Sequence, residues 1–179
     1  MSGLDFTPRG ALDRLGLKGP AAADWLAAQG IVVPSAPNTW AGAADADEEA
    51  ILVARLGAGE FLVEDCLGGS ALRGALPALE ASPGVYPVLR EDAAFLLSGE
   101  GSLDVLAQVC NVNFGDLDLD AHPVILTSMI GVSVLVIPQD PGTLRQYRIW
   151  CDPTFGAYLQ ESLGLVVSEC GGNYRGGSA

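Results

Sequence analysis

The spacing of apolar and polar positions changes period along this chain, and each change marks an element. PAAADWLAAQ opens with a proline suited to a first helical position, and Gly30 suits the residue just past the end, which predicts a helix over Pro20–Gln29. VVPSAPNTWAGAADADEEA has no steady period and is rich in Pro, Ala and Asp, so a loop is expected. ILVARLG and EFLVED, separated by Ala-Gly, predict a hairpin. In SALRGALPALEAS, Leu72, Leu76 and Leu79 fall at i, i+4 and i+7, which predicts a second helix, bent at Pro77. GVYPVLR reads as a short strand.

The second half follows the same order. FLLSG is strand-like, and SLDVLAQVCNV places Leu103, Leu106 and Cys110 on one helical face. PVILTSM and VSVLVIP read as strands around Ile130-Gly131, DPGT as a turn and QYRIWC as a strand. PTFGAYLQESL reads as a helix, LVVSEC as a last strand, and GGNYRGGSA as a tail with no fold signal. At an offset of 80 residues, LGLKGPAAADWLAAQG set against FLLSGEGSLDVLAQVC matches at Leu17/Leu97, Gly19/Gly99, Asp24/Asp104, Leu26/Leu106 and Ala27/Ala107. The expected fold is α+β: two βαββαβ, ferredoxin-like halves with antiparallel sheets covered by helices. Their expected bounds are 1–82 and 83–170, with 171–179 as a flexible tail.

Composition narrows the function classes. About half the residues are apolar and 17% are charged, a globular composition. The net charge is −13, and Lys18 is the single lysine, so no basic face for nucleic acid or for an anionic membrane is expected. No apolar run approaches the roughly 20 residues of a membrane span, and the N-terminus lacks an apolar signal core. Cys66, Cys110, Cys151 and Cys170 are far apart and form no CxxC pair, so they read as buried thiols in a reducing cytoplasm. No metal-ligand spacing is present.

Three segments resemble chemistry. SGEGSLD follows a strand and opens a helix, as a phosphate loop does, but Asp104 stands where a third glycine belongs and would repel a phosphate. A glycine turn into a locally capped helix is the expectation. In GDLDLDAHP, Asp116, Asp118 and Asp120 alternate as in a calcium loop, yet Ala121 and Thr127 hold the places of the required Gly and Glu. His122 has no nucleophile beside it in sequence. In RIWCDPTFGAYLQESL, Cys151 ends an apolar strand and reads as a small hydrophobe rather than a nucleophile. Asp152 followed by Pro153 predicts an N-cap.

These segments together carry a resemblance. GVYPVLREDAAFLLSG, LAQVCNVNF, TSMIGVSV and RIWCDPTFGAYLQESL, with LGLKGPAAADWLAAQGIVVPSAPNTW near the start, resemble the gamma subunit of heterotetrameric sarcosine oxidase over residues 15–165. The resemblance implies a non-catalytic subunit, with no catalytic, cofactor-binding or metal residue of its own. It implies large alpha and beta partner subunits that carry FAD, FMN and NAD, a small delta subunit that carries a zinc, and tetrahydrofolate as co-substrate. Such a complex oxidatively demethylates sarcosine or a related N-methyl amino acid. The gamma subunit is itself similar to the folate-binding aminomethyltransferase fold, in which a Thr-Asn-Asp-Val stretch supplies an Asp at the folate site. Here Cys110-Asn111-Val112-Asn113 stands in that place, and Val112 replaces the acid. A stand-alone folate-binding or one-carbon transfer protein is the alternative. Partner-interface residues are expected among aromatic and Arg positions at element ends: Tyr86, Arg90, Tyr147, Arg148, Phe155 and Tyr158. Trp150 reads as core.

Overall fold

The computed structural model describes residues 3–10, 12–42, 51–66, 72, 79, 81–140, 142 and 144–174. The chain divides into two compact units, a contiguous one of residues 11–90 and a split one of residues 1–10 with 91–179. The sequence expectation of 1–82 and 83–170 keeps each half contiguous. The split arises because β1 (Asp5–Arg9), a segment with no apolar periodicity, pairs along its whole length with β7 (Ala93–Ser98).

In the contiguous unit the elements run β2 (Arg14–Lys18), α1 (Ala22–Ala28), β3 (Thr39–Ala41), β4 (Ile51–Gly57), β5 (Glu60–Asp65) and β6 (Tyr86–Val88). The sheet order is β3-β4-β5-β2-β6, antiparallel throughout. The hairpin β4–β5 forms as the pattern predicts. β3 lies inside the stretch expected to be a loop, where Trp40 is buried and pairs opposite Ala54. The second expected helix lies mostly outside the described residues, but Leu72 and Leu79 are helical and buried. They join Leu17, Leu26, Val53, Phe61 and Val63 in the core on the helix side. Pro87 stands on an edge strand, where its missing N–H costs no ladder bond.

The split unit runs β7, α2 (Ser102–Val109), β8 (Ile125–Met129), β9 (Val132–Gln139), β10 (Gln146–Cys151), α3 (Gly156–Glu169) and β11 (Asn173–Tyr174). Its order is β11-β1-β7-β10-β9-β8. All pairs are antiparallel except β1 with β11. Val105, Leu106 and Val109 of α2 and Leu159, Leu163 and Val167 of α3 pack with Phe6, Leu97, Val136 and Ile149. The centre of the α2 face is thus Val105, Leu106 and Val109, while Leu103 and Cys110 sit at its margin.

Two expectations fail at the C-terminal end. LVVSEC is not a strand: α3 continues through it, because Leu159, Leu163 and Val167 keep a four-residue spacing toward the sheet. The true stop is Gly171 at φ +78, with the Gly172 N–H bonded to the Val167 carbonyl at 2.8 Å. The segment read as featureless tail also begins with a strand, β11. Tyr174 stacks 5.8 Å from Phe6 and accepts a hydrogen bond from Gln160 Nε2 at 2.9 Å. A Cβ on Gly164 would lie 2.8 Å from the Tyr174 ring, so this helical glycine makes room for the strand.

Both units are mixed α+β with antiparallel-dominated sheets. Their connectivity differs from βαββαβ by one strand, since a three-stranded meander stands where that pattern has a pair. The internal repeat is visible in register. Leu17 faces Pro87 and Lys18 faces Tyr86 in one unit, as Leu97 faces Phe6 and Ser98 faces Asp5 in the other. β1 therefore fills in the split unit the slot that β6 fills in the contiguous one, and β11 is added outside it. The aligned glycines share one physical cause. Gly19 has φ +131 and Gly99 φ +117, and a Cβ would stand 2.2 Å from the Gly84 carbonyl oxygen or 2.6 Å from that of Gly3. Each lets the neighbouring strand start close against the strand-to-helix turn.

Candidate functional site

The segment with the strongest resemblance to an active site, Trp150 to Phe155, is a strand-to-helix joint. Trp150 and Cys151 end β10 and are 2% and 3% exposed. Burial, aided by the nearby Asp152 and Asp92 carboxylates, pushes the Cys151 thiol up to about 11, so it stays protonated at neutral pH. That is the opposite of an activated nucleophile. Asp152 is exposed. Its Oδ1 accepts from the Thr154 N–H at 2.8 Å and from the Thr154 hydroxyl at 2.5 Å. These bonds hold its pKa below the ordinary carboxylate value. It caps the short 3₁₀ turn Pro153–Phe155, which runs directly into α3, so the cap sits one turn ahead of the α-helix proper.

The glycine-rich SGEGSLD turn is likewise structural. Gly101 occupies the N-cap of α2 without a side-chain cap, and the Ser102 hydroxyl donates instead to the Gly99 carbonyl. The local side-chain capping expected here is thus replaced by this backward bond. In the acidic loop, Asp118 Oδ1 accepts from the Asp120 N–H at 3.1 Å, an internal turn bond. Asp116 Oδ2 accepts from Asn113 Nδ2 at 2.6 Å. Among the described residues, no three His, Cys, Asp or Glu side chains gather as a metal site. None of the described helices is long and apolar enough to cross a membrane.

A groove of about 400 Å³ lies along the stretch expected to match the folate motif. Its walls include Leu106, Cys110, Asn111, Val112, Asn113 and Phe114. Val112 is partly buried and packs against the core, so the groove has a methyl surface where an acid would be needed. The Asn113 side chain is committed to the Gly115 N–H and to Asp116. The residues present therefore do not fit the folate role of that motif.

The six expected interface residues separate by burial. Tyr86 is 61% exposed on β6, and Leu89, 80% exposed, follows it. Arg90 is partly buried and lies 3.9 Å from Glu60. Tyr147 is a correction: at 1% exposure it is core, packed edge-on against Phe114 at 5.6 Å. It alternates with Arg148 and shares the core face of β10 with Ile149, and its position in register with Leu97 puts its ring under the helices. Burial raises its phenol pKa and outweighs the opposing Arg145 cation. Arg148, on the other face, is partly buried and donates to Gln139 Oε1 at 2.9 Å. Phe155 and Tyr158 remain exposed, 51% each, three residues apart at the start of α3. Leu165 and Leu126, 67% and 58% exposed, are surface residues that sequence reasoning missed. Leu165 falls in the stretch expected to be a strand, and its exposure follows from the helical phase of α3.

No family model and no curated protein matches this sequence. Among solved structures, the chain is similar to a chain of the heterotetrameric sarcosine oxidase from Corynebacterium sp. U-96, solved in complex with pyrrole 2-carboxylate. That likeness has 25% identity and a TM-score of 0.68, and it covers 96% of this chain and 87% of the other. The chain is also similar to the glycine cleavage system aminomethyltransferase T from Bartonella henselae, with 13% identity and a TM-score of 0.68. It covers 91% of this chain and spans 46% of that enzyme, and it is a likeness of fold. The two-sheet α+β architecture described above is thus one that sarcosine oxidase and aminomethyltransferase T also contain.

Proposed function

We propose that this chain is a non-catalytic assembly subunit, of the gamma type, in a flavin-dependent complex of the sarcosine oxidase kind. In this reading the complex oxidatively demethylates sarcosine or a related N-methyl amino acid. FAD, FMN and NAD sit on the larger partners, alpha and beta, and tetrahydrofolate is a co-substrate of the complex. The observation that carries the reading is the likeness to a chain of a heterotetrameric sarcosine oxidase over nearly the whole of both chains. Two features of the site support it. The thiol at the joint is buried and protonated, and Val112 lines the groove where a folate-binding acid would be required. Tyr86, Arg90, Arg148, Phe155 and Tyr158 are the residues proposed to meet partner subunits.

The test is retrieval of the tagged full-length chain from its own source under gentle conditions. Co-purification of flavin-bearing polypeptides whose flavin absorbance bleaches on adding sarcosine or another N-methyl amino acid is the expected outcome. Recovery of the chain alone overturns it. Micromolar binding of tetrahydrofolate by the purified chain would favour the alternative, a one-carbon carrier acting by itself.

A further inference from the structure

The outer stripe of α3 is a surface the fold does not use. A helix needs one apolar stripe to hold to its sheet, and here Leu159, Leu163 and Val167, all fully buried, provide it. The opposite side carries a second set. Tyr158 and Leu165 are exposed there, with Glu161 and Glu169 exposed among them, and Phe155 is exposed at the N-cap just ahead of the helix. At 3.6 residues per turn, Tyr158, Glu161, Leu165 and Glu169 share one side of the helix.

Tyr158 is held in place before any partner arrives. Its hydroxyl donates to the Ile130 carbonyl at 3.3 Å, at the turn between β8 and β9. Ile130 has φ +48, a left-handed conformation that a β-branched residue adopts only under constraint, and its N–H is tied to the Val109 carbonyl at 3.0 Å. A fixed aromatic ring loses less freedom on docking than a mobile one, which favours affinity.

Charge selects the occupant. The described residues of the split unit hold twelve acids against three arginines, Arg9, Arg145 and Arg148, and all three arginines are partly buried. The α3 stripe is acidic, and Asp152 is exposed at its start. Two copies joined through this face would set Glu161 and Glu169 against like carboxylates. We propose that the Phe155–Tyr158–Leu165 face of α3 docks an arginine-bearing, otherwise apolar patch of a partner subunit. The partner's guanidinium lies over the Tyr158 ring and beside Glu161. This rests on the subunit reading above and names the partner chemistry of that surface.

The experiment uses the tagged full-length chain and its variants in the native complex, with retained flavoprotein measured against salt. Glu161→Lys and Leu165→Ser are surface changes, and unchanged melting curves establish that each variant is folded. Each is expected to lower flavoprotein retention by about tenfold, with the Glu161→Lys loss growing as salt is reduced. Asp120→Lys, which removes an exposed acid on the loop before β8, is expected to stay within about twofold of wild type. If wild type retains flavoprotein and both α3 variants retain it equally, the docking face is wrong and the subunit reading stands. If wild type retains none, both fall. If the chain sediments as a dimer that Glu161→Lys dissociates, the occupant is a second copy and the proposal is overturned.

Discussion

Replacing Gly99 by alanine tests the claim that the glycine-rich turn is built for backbone contact and not for a phosphate. Two costs add. At φ +117 an L side chain is strained by about 1–3 kcal/mol. The new Cβ would also stand 2.6 Å from the Gly3 carbonyl oxygen and 2.7 Å from Leu4 Cα. That is about 0.8 Å short of ordinary contact, and both obstacles are backbone atoms that cannot rotate away. Residues 3 and 4 cannot retreat freely, because the Leu4 carbonyl accepts from the Asn173 N–H at 2.8 Å and β1 is paired along β7. Overpacking of this kind costs about 1–3 kcal/mol, so the sum is about 4 kcal/mol. For a chain of this length that lowers the melting temperature by about 10 °C. Gly101→Ala in the same turn is the control. Gly101 has φ −82, and its Cβ would meet only the Leu4 side chain, 3.3 Å away, so the change should stay within about 1 kcal/mol. Urea unfolding of both variants gives the answer. A Gly99→Ala midpoint within about 1 kcal/mol of wild type would refute the close-approach argument.

Three further outcomes are expected. Arg14 and Glu64 form a cross-strand ion pair at 2.6 Å with side chains 5% and 1% exposed, so Glu64→Ala should destabilise by about 3–5 kcal/mol. The double replacement Arg14→Met with Glu64→Leu should recover most of that in the same urea titration. Raising the Cys151 pKa from 9.0 to about 11 lowers its thiolate fraction about a hundredfold at pH 8, so iodoacetamide should label it far more slowly than the partly exposed Cys170, as read by peptide mass spectrometry. Because folding lowers the Asp152 pKa, the stability its ionised form confers is fully present above the unfolded value of 3.8 and is lost as pH falls through the lower folded value. The stability gap between wild type and Asp152→Ala should therefore be constant from neutral pH to about 5 and close in stronger acid. A gap that does not narrow there would contradict the capping bond.

The legible parts of this protein were those whose cause is local. Pro20 and Gly30 bracket α1, and the Gly-Ala-Gly break makes the β4–β5 hairpin. Asp152 and Pro153 start a helical turn whatever surrounds them. The five matches at an offset of 80 residues also held meaning: Leu17 and Leu97 are both fully buried, and Gly19 and Gly99 both admit a neighbouring strand. Continuous apolar runs such as VSVLVIP were readable as strands, and their lack of alternation reflects burial on both faces, since Leu135 and Ile137 are buried as well as Val134 and Val136.

What remained hidden depends on partners distant in sequence. DFTPR has no period, and Asp5 and Pro8 offset the strand preference of Phe6 and Thr7, so it becomes β1 through its pairing with β7. Asn173 and Tyr174 become β11 only because β1 is there, and because Gly164 leaves space for the Tyr174 ring. The end of α3 is ambiguous in sequence because a Val-rich stretch suits a strand or a buried helix equally, and length and the Gly171 stop decide between them. The surface was misread for the same reason. Tyr147 and Tyr158 are one residue type in similar local surroundings, yet the sheet register puts the first in the core and the helix phase puts the second outside. Sequence alone named aromatic and Arg positions at element ends as candidates for a partner surface. Tertiary structure decided which of them have surface left to offer, because exposure depends on strand register and helix phase.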